Sequence, residues 1–182
     1  MLKSKIRNKL LKTRKNSNKK NIQIKFEKIY KLLKKITNLR GKIVGGYYPV
    51  NYEIDDLDIL GRLEKKKITI SLPSIKKNYK MNFIKCSLNA PFVLNQYGIP
   101  EPSSGTIVNP DILLVPLVAF DKNLNRLGYG AGYYDRFIES LKKKKKIITI
   151  GLAFDFQESN SIPTSKYDQK LDYIVTNKNI LK

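Results

Sequence analysis

The chain has no histidine and a single cysteine, Cys86, among its 182 residues. The first absence excludes a Ser-His-Asp triad, a Cys-His dyad and any histidine-ligated zinc site. Catalysis must then rest on carboxylates, cations, backbone donors, tyrosines or a metal ion. One cysteine cannot close an internal disulfide, and a reducing cytoplasm is its simplest setting. Apolar runs of membrane-spanning length are missing. The N-terminus is basic, but no apolar segment follows it as in a secretory signal. Acidic residues are scarce: 15 Asp and Glu against 36 Lys and Arg give a formal charge of +21. That charge fits either nucleic-acid binding or compositional drift in a chain rich in Lys, Asn and Ile. The lysines run through the whole chain without a nucleic-acid motif, which favours drift. A polyanionic small substrate would also be steered by such a field. The length and a hydrophobic content of 41% suit one domain, 1–182, with a sizeable core.

What is present centres on Asp111–Arg136. Ile112–Val115 is an apolar run between Pro110 and Pro116, the pattern of a buried strand. A polar turn at Asp121–Asn125 precedes Arg126 and three alternating glycines, Gly128, Gly130 and Gly132. Helical spacing then begins, with Tyr134, Phe137, Ile138 and Leu141 on one face. Strand, glycine loop and helix start make an anion site, because glycine admits positive φ and the helix start offers unpaired N–H donors. Arg126 adds a forked cation suited to phosphate. Asp135, in the first helical turn, suits a hard cation such as magnesium. The glycines alone fit a tight turn equally well, and their spacing matches neither common nucleotide fingerprint.

Elsewhere the pattern alternates between helix and strand. Met1–Thr13 reads as a helix with Leu2, Ile6 and Leu10 on one face, and Asn16–Asn21 as a polar break. A second helix is expected over Ile22–Asn38, a strand over Lys42–Tyr48, a helix over Asp55–Lys65 and a strand over Lys67–Leu72, ending at Pro73. A further strand is expected over Tyr79–Leu88, with Cys86 as a small apolar residue, then a Pro- and Gly-rich loop over Phe92–Gly105. The lysine run Lys142–Lys146 reads as a solvated helix end, and Ile147–Ala153 and Leu171–Thr176 as the last strands. This order predicts an α/β layered domain with a largely parallel sheet. Ligands in such sheets bind outside the carboxyl ends of the strands, which draws attention to the loop carrying Glu53.

The run Val115-Pro116, Ala119-Phe120-Asp121 and Asn125–Arg136, read as NRLGYGAGYYDR, resembles the signature of the 5-formyltetrahydrofolate cyclo-ligases, also called methenyltetrahydrofolate synthetases. Tyr97–Pro102 and Phe154–Gln157 resemble further segments of that family, and the likeness extends over essentially the whole chain. It implies a Rossmann-like three-layer α/β/α fold. It implies an enzyme that uses ATP and Mg2+ to convert 5-formyltetrahydrofolate into 5,10-methenyltetrahydrofolate, releasing ADP and phosphate. By the same resemblance, Lys3, Lys5 and Arg7 contact ATP together with Arg126, Leu127, Gly128, Tyr129, Gly130, Ala131, Gly132, Tyr133 and Tyr134. The folate falls to Tyr48, Glu53, Tyr97, Tyr129, Gly130, Ala131, Gly132 and Tyr133, catalysis to Arg126 and Tyr133, and the metal to Asp135 and Asp172. Phosphorylation of the formyl oxygen would make it a leaving group, and the 10-nitrogen of the same folate would then close the ring. Such chemistry needs positioning and charge neutralisation more than a protein nucleophile. Ala131 departs from the glycine or lysine usual in the family, and strain of about 1 kcal/mol is expected there if the backbone needs positive φ. The expected partner is the folate, with polyglutamylated forms favoured by the charge. The expected state is a cytoplasmic monomer without membrane or specific nucleic-acid contacts. The rival readings are a related enzyme acting on another phosphate-bearing substrate, a basic nucleic-acid-binding protein, and a folded but inactive enzyme.

Overall fold

A computed structural model of the chain describes residues 2–17 and 22–182. In chain order the elements are α1 (Leu2–Ser17), α2 (Phe26–Ile36), β1 (Ile43–Gly45), α3 (Leu57–Lys65), β2 (Thr69–Lys76), β3 (Lys80–Lys85), β4 (Phe92–Leu94), β5 (Pro100–Pro102) and β6 (Ile107–Val108). There follow β7 (Ile112–Pro116), β8 (Ala119–Phe120), β9 (Arg126–Leu127), α4 (Tyr133–Lys142), β10 (Ile148–Ala153), β11 (Tyr173–Thr176) and β12 (Ile180–Leu181). One eight-stranded sheet runs in the order β12-β11-β10-β7-β1-β2-β3-β6. Its centre, β11 to β2, is parallel, and β12, β3 and β6 are added antiparallel.

Strand β7 shows why the sheet is covered on both faces. Side chains alternate across a strand, and here both sets are apolar. Ile112 and Leu114 join the cluster around α2 and α3, with Ile29, Leu33, Ile59 and Leu60. Leu113 and Val115 join the cluster around α4, with Phe83, Ile138 and Ile174. All four β7 residues are wholly buried. The result is the expected three-layer α/β/α arrangement. Helix α1 stands apart, packing Leu10 against Val118, Ala119 and Leu127 near the carboxyl ends of the strands.

Several boundaries differ from the sequence reading. Strand β2 does not stop at Pro73 but continues to Lys76. Its pairing with β1 ends at Ser71, so Pro73 has a partner, Phe83 of β3, on one side only. A proline N lacking a hydrogen is harmless on such an edge. Helix α1 extends to Ser17, past Thr13. Of the polar break expected over Asn16–Asn21, Asn16 and Ser17 are helical, and the rest lies outside the described residues. The loop over Phe92–Gly105 contains a small hairpin, β4 with β5, in which Phe92 faces Pro102. Cys86 is half-buried, and burial pushes its thiol up to about 11, which keeps it unreactive at neutral pH.

Gly45, in β1, is a tight point beneath the site described below. A Cβ there would lie 2.7 Å from the ring of Phe83 and 2.9 Å from Leu113. Both neighbours are wholly buried. Gly45→Ala is expected to cost about 1–3 kcal/mol through overpacking. A urea midpoint lowered at unchanged slope would register it; an unchanged midpoint would show that this layer yields.

Candidate active site

The parallel strands are wound in two directions. From β1 the chain goes to β2 on one side, then returns through β7 to the other side and on to β10 and β11. The reversal falls between β1 and β7, where an open α/β sheet leaves a crevice at its carboxyl edge. A cavity of about 690 Å³ lies there. Its walls come from the segments after β1 and β9, the tip of the β4–β5 hairpin, the start of α4, and Lys3 and Arg7 of α1.

One end of the cavity is cationic. Arg126 is buried, and its guanidinium donates through Nη1 to the Gln169 carbonyl (2.6 Å) and through Nη2 to Asp135 Oδ1 (2.8 Å). Burial presses its pKa down and the Asp135 carboxylate opposes that shift, while the two hydrogen bonds hold the fork at the cavity wall. Asp135 takes a second bond on the same oxygen, from the Gln169 amide (2.9 Å). The glycine loop turns through positive φ at Gly130 (111°) and Gly132 (70°), the latter being the N-cap of α4. Arg7 lies across this loop. Its Nε donates to the Gly128 carbonyl (2.9 Å), and a Cβ on Gly130 would come within 3.4 Å of its Nη2. Lys3 pairs with Asp168 at 2.6 Å on the same wall. Ala131 is not among the positive-φ residues, so the strain considered from the sequence does not arise.

The other end is a buried acidic pocket with an aromatic rim. After β1 the backbone turns through Asn51 (φ 49°) and Tyr52 (φ 61°). Left-handed non-glycine residues in succession are uncommon and concentrate at functional sites. The turn points Glu53 back into the cavity, where its Oε2 accepts from the Val50 amide (2.9 Å). Glu53 Oε1 is buried with no hydrogen-bond partner among the described residues, as are Asp56 Oδ1 and the Tyr134 hydroxyl. Burial raises the Glu53 carboxyl to about 7; the Val50 amide, Arg14 and Tyr129 act in the opposite direction. Asp56 is wholly buried, accepts from the Tyr47 amide (2.9 Å), and is also pushed up by burial. At the mouth, the Tyr97 and Tyr133 hydroxyls meet at 3.2 Å, and Tyr133 leans on Tyr79. Tyr48 packs edge-on against Phe92.

Of the residues singled out from the sequence, Lys3, Arg7, Tyr48, Glu53, Tyr97, Asp135 and the whole Arg126–Tyr134 run line this one cavity. Lys5 does not; it is exposed on α1. Asp172 is a correction. It sits at the amino end of β11, where its carboxylate accepts from Thr149 N (2.7 Å) and Oγ1 (2.8 Å) of β10. That is the edge of the sheet opposite the cavity, so Asp172 ties two strands together away from Asp135. The sequence reading missed Arg14, Asp56 and Asp168. Arg14 had a signal: it falls four residues after Leu10 and so continues the Leu2, Ile6, Leu10 face with a charge.

Residues 1–177 match the 5-formyltetrahydrofolate cyclo-ligase family. A 5-formyltetrahydrofolate cyclo-ligase of Haemophilus influenzae is 33% identical over 144 residues, which cover 75% of this chain and 76% of the relative. One from Mycoplasma genitalium is 34% identical, covering 72% of this chain and 70% of its own. Among solved structures, the 5,10-methenyltetrahydrofolate synthetase of Aquifex aeolicus superposes with a TM-score of 0.81 at 32% identity, covering all of this chain and 93% of that one. Matching of this extent, across the strands, the glycine loop and the helix that follows it, means that the chain belongs to the 5-formyltetrahydrofolate cyclo-ligase family.

Proposed function

We propose that this protein converts 5-formyltetrahydrofolate and ATP into 5,10-methenyltetrahydrofolate, ADP and phosphate in the cavity between β1 and β7. The observation that carries this reading is the polarity of that cavity. A buried carboxylate with an oxygen unpartnered among the described residues faces, across one space, a glycine loop with two arginines. The folded pterin presents N–H donors, for which Glu53 Oε1 is the matching acceptor, and Tyr48, Tyr97 and Tyr133 offer flat faces to its rings. The triphosphate falls to the loop Leu127–Gly132, the first amides of α4, Arg126, Arg7 and Lys3.

The formyl group on the 5-nitrogen is an amide with an unreactive carbon and a poor leaving oxygen. Transfer of the γ-phosphoryl group to that oxygen remedies both, and the 10-nitrogen then closes the ring, giving up its proton to the phosphate that departs with the formyl oxygen. Arg126, fixed by Gln169 and Asp135, meets the charge that develops on the transferring phosphoryl group without having to reorganise. The tyrosine rim limits water at the activated oxygen. Asp135 fits magnesium on its donor chemistry, since this ion is commonly held by one or two carboxylates together with substrate phosphates. When bound, the ion neutralises phosphate charge.

No helix among the described residues is long and apolar enough to cross a membrane. We place the enzyme in the cytoplasm as a monomer, with its positive charge favouring folates that carry an anionic polyglutamate tail. The test is direct. Protein mixed with 5-formyltetrahydrofolate and magnesium-ATP is expected to develop the near-ultraviolet band of the methenyl product, and excess chelator to stop it. A folded protein that binds ATP but forms no band would overturn the assignment.

A further inference from the structure

We propose that Arg14 is a positioning residue for folate binding, anchoring Tyr129 from beneath the cavity and supplying the positive charge that accompanies Glu53. This rests on the reading of Glu53 as the folate acceptor. Arg14 is 1% exposed and does not line the cavity. Its Nη1 donates to the Leu117 carbonyl (3.2 Å), its Nη2 to the Tyr129 hydroxyl, and the guanidinium carbon lies 5.7 Å from the Tyr129 ring centre. Tyr129 does line the cavity, so the arginine reaches the ligand space through the ring it holds.

A purely structural role accounts poorly for this choice. The site continues the Ile6 and Leu10 face of α1, where a leucine would pack without bringing a charge out of water. Arg14 Nε is buried with no hydrogen-bond partner among the described residues, so the burial is not offset by full satisfaction of the guanidinium. What the position does offer is an electrostatic interaction with the buried Glu53 carboxyl. The groups that interact electrostatically with Glu53 are Arg14 from α1, Tyr129 from the glycine loop, Tyr47 from the segment after β1, Asp56 at the start of α3, and Tyr134 from α4. Four of these five are phenols or a second acid. Arg14 is the cation of the set, and it favours the ionised form of Glu53.

Removing that charge therefore lets Glu53 keep its proton to higher pH and frees the Tyr129 ring. Folate binding should suffer near neutrality and recover in alkali, while ATP binding, which rests on the backbone amides of the glycine loop with Arg126, Arg7 and Lys3 rather than on the Tyr129 ring, should change little. The experiment is equilibrium binding of 5-formyltetrahydrofolate without ATP, and separately of ATP, from pH 6 to 9. It compares the wild type with Arg14→Gln, Arg14→Lys, Glu53→Gln and the double variant R14Q/E53Q. Arg14→Gln is expected to weaken folate binding about tenfold at pH 7 and less than about threefold at pH 9. ATP affinity should stay within about twofold, Arg14→Lys should restore the neutral-pH affinity, and Arg14→Gln should add little in the Glu53→Gln background. A folate loss equal at every pH, an equal loss for ATP, or an undiminished loss in the Glu53→Gln background would overturn the proposal and leave Arg14 a strut for α1. Wild-type folate affinity in Glu53→Gln alone would overturn the Glu53 reading, and the proposal with it. If Arg14→Gln does not fold, Tyr129→Phe reads the same link from its other end. A smaller folate loss concentrated below pH 8 is then expected, and a loss that does not vary with pH overturns the proposal.

Discussion

Arg126→Gln is expected to lower turnover by about two to three orders of magnitude, the usual loss when a preorganised donor to developing charge is removed. The expectation follows from how Arg126 is held rather than from its charge alone. Its side chain is 4% exposed and fixed at both ends of the fork, by the Gln169 carbonyl and Asp135. A donor fixed in this way is already in place when charge builds on the transferring phosphoryl group. The same burial carries a stability cost. Loss of the arginine leaves Asp135 short of a partner, and because that carboxylate is 26% exposed the cost should be modest, about 1–2 kcal/mol. The two effects separate experimentally. Turnover is followed through the methenyl band well below the melting temperature, with saturating ATP, and stability through urea unfolding. A variant that melts lower but turns over normally would show that Arg126 only braces Asp135 and Gln169. Arg126→Lys should recover much less than the retained charge suggests, because an ammonium cannot span both partners as the fork does.

The parts of the molecule visible in its sequence are those fixed by local chemistry. Ile112–Val115 between two prolines could be little but a buried strand, and the alternation of Gly128, Gly130 and Gly132 before a helical period marked the loop and the start of α4. What escaped depends on contacts distant in sequence. Pro73 reads as a strand end unless one knows that β1 has already ended beside it at Ser71. Arg14 reads as one more basic residue on a basic helix until its partners, 103 and 115 residues away, are in view. Asp172 shows the converse: a carboxylate at a suggestive position in the order of motifs is already engaged by Thr149 at the far edge of the sheet. Residues contiguous along the glycine loop thus reach one cavity together, whereas an isolated acid is placed by contacts that its sequence position does not show.

Glu53→Gln is the change with the largest expected effect on folate, and its two consequences have opposite sign. The carboxylate oxygen Oε1 is buried without a partner among the described residues, and an N–H edge of the pterin would satisfy it. Glutamine offers a weaker, neutral acceptor and, if its amide turns, a donor facing a donor. Folate affinity should fall about tenfold to a hundredfold, since hydrogen bonds to charged groups contribute about 1.5–3 kcal/mol, while ATP affinity at the opposite end of the cavity stays near wild type. Stability should move the other way. Burial raises the Glu53 carboxyl from 4.5 to about 7, so folding favours the protonated form. Its contribution is full below pH 4.5 and is lost as the pH rises through 7. At about 1.4 kcal/mol for each tenfold change in proton affinity, the loss is on the order of 3 kcal/mol. Glutamine has no charge to bury. The variant should therefore match the wild type at pH 5 and exceed it at pH 8 by about 1–3 kcal/mol in urea unfolding, part of the gain being offset by unpaired amide atoms. Weaker folate binding together with higher stability at pH 8 would mark Glu53 as a group kept for the ligand at the expense of the fold. Weaker binding with lower stability at both pH values would mark it instead as a brace for the Val50 turn, and the folate would have to be received elsewhere in the cavity.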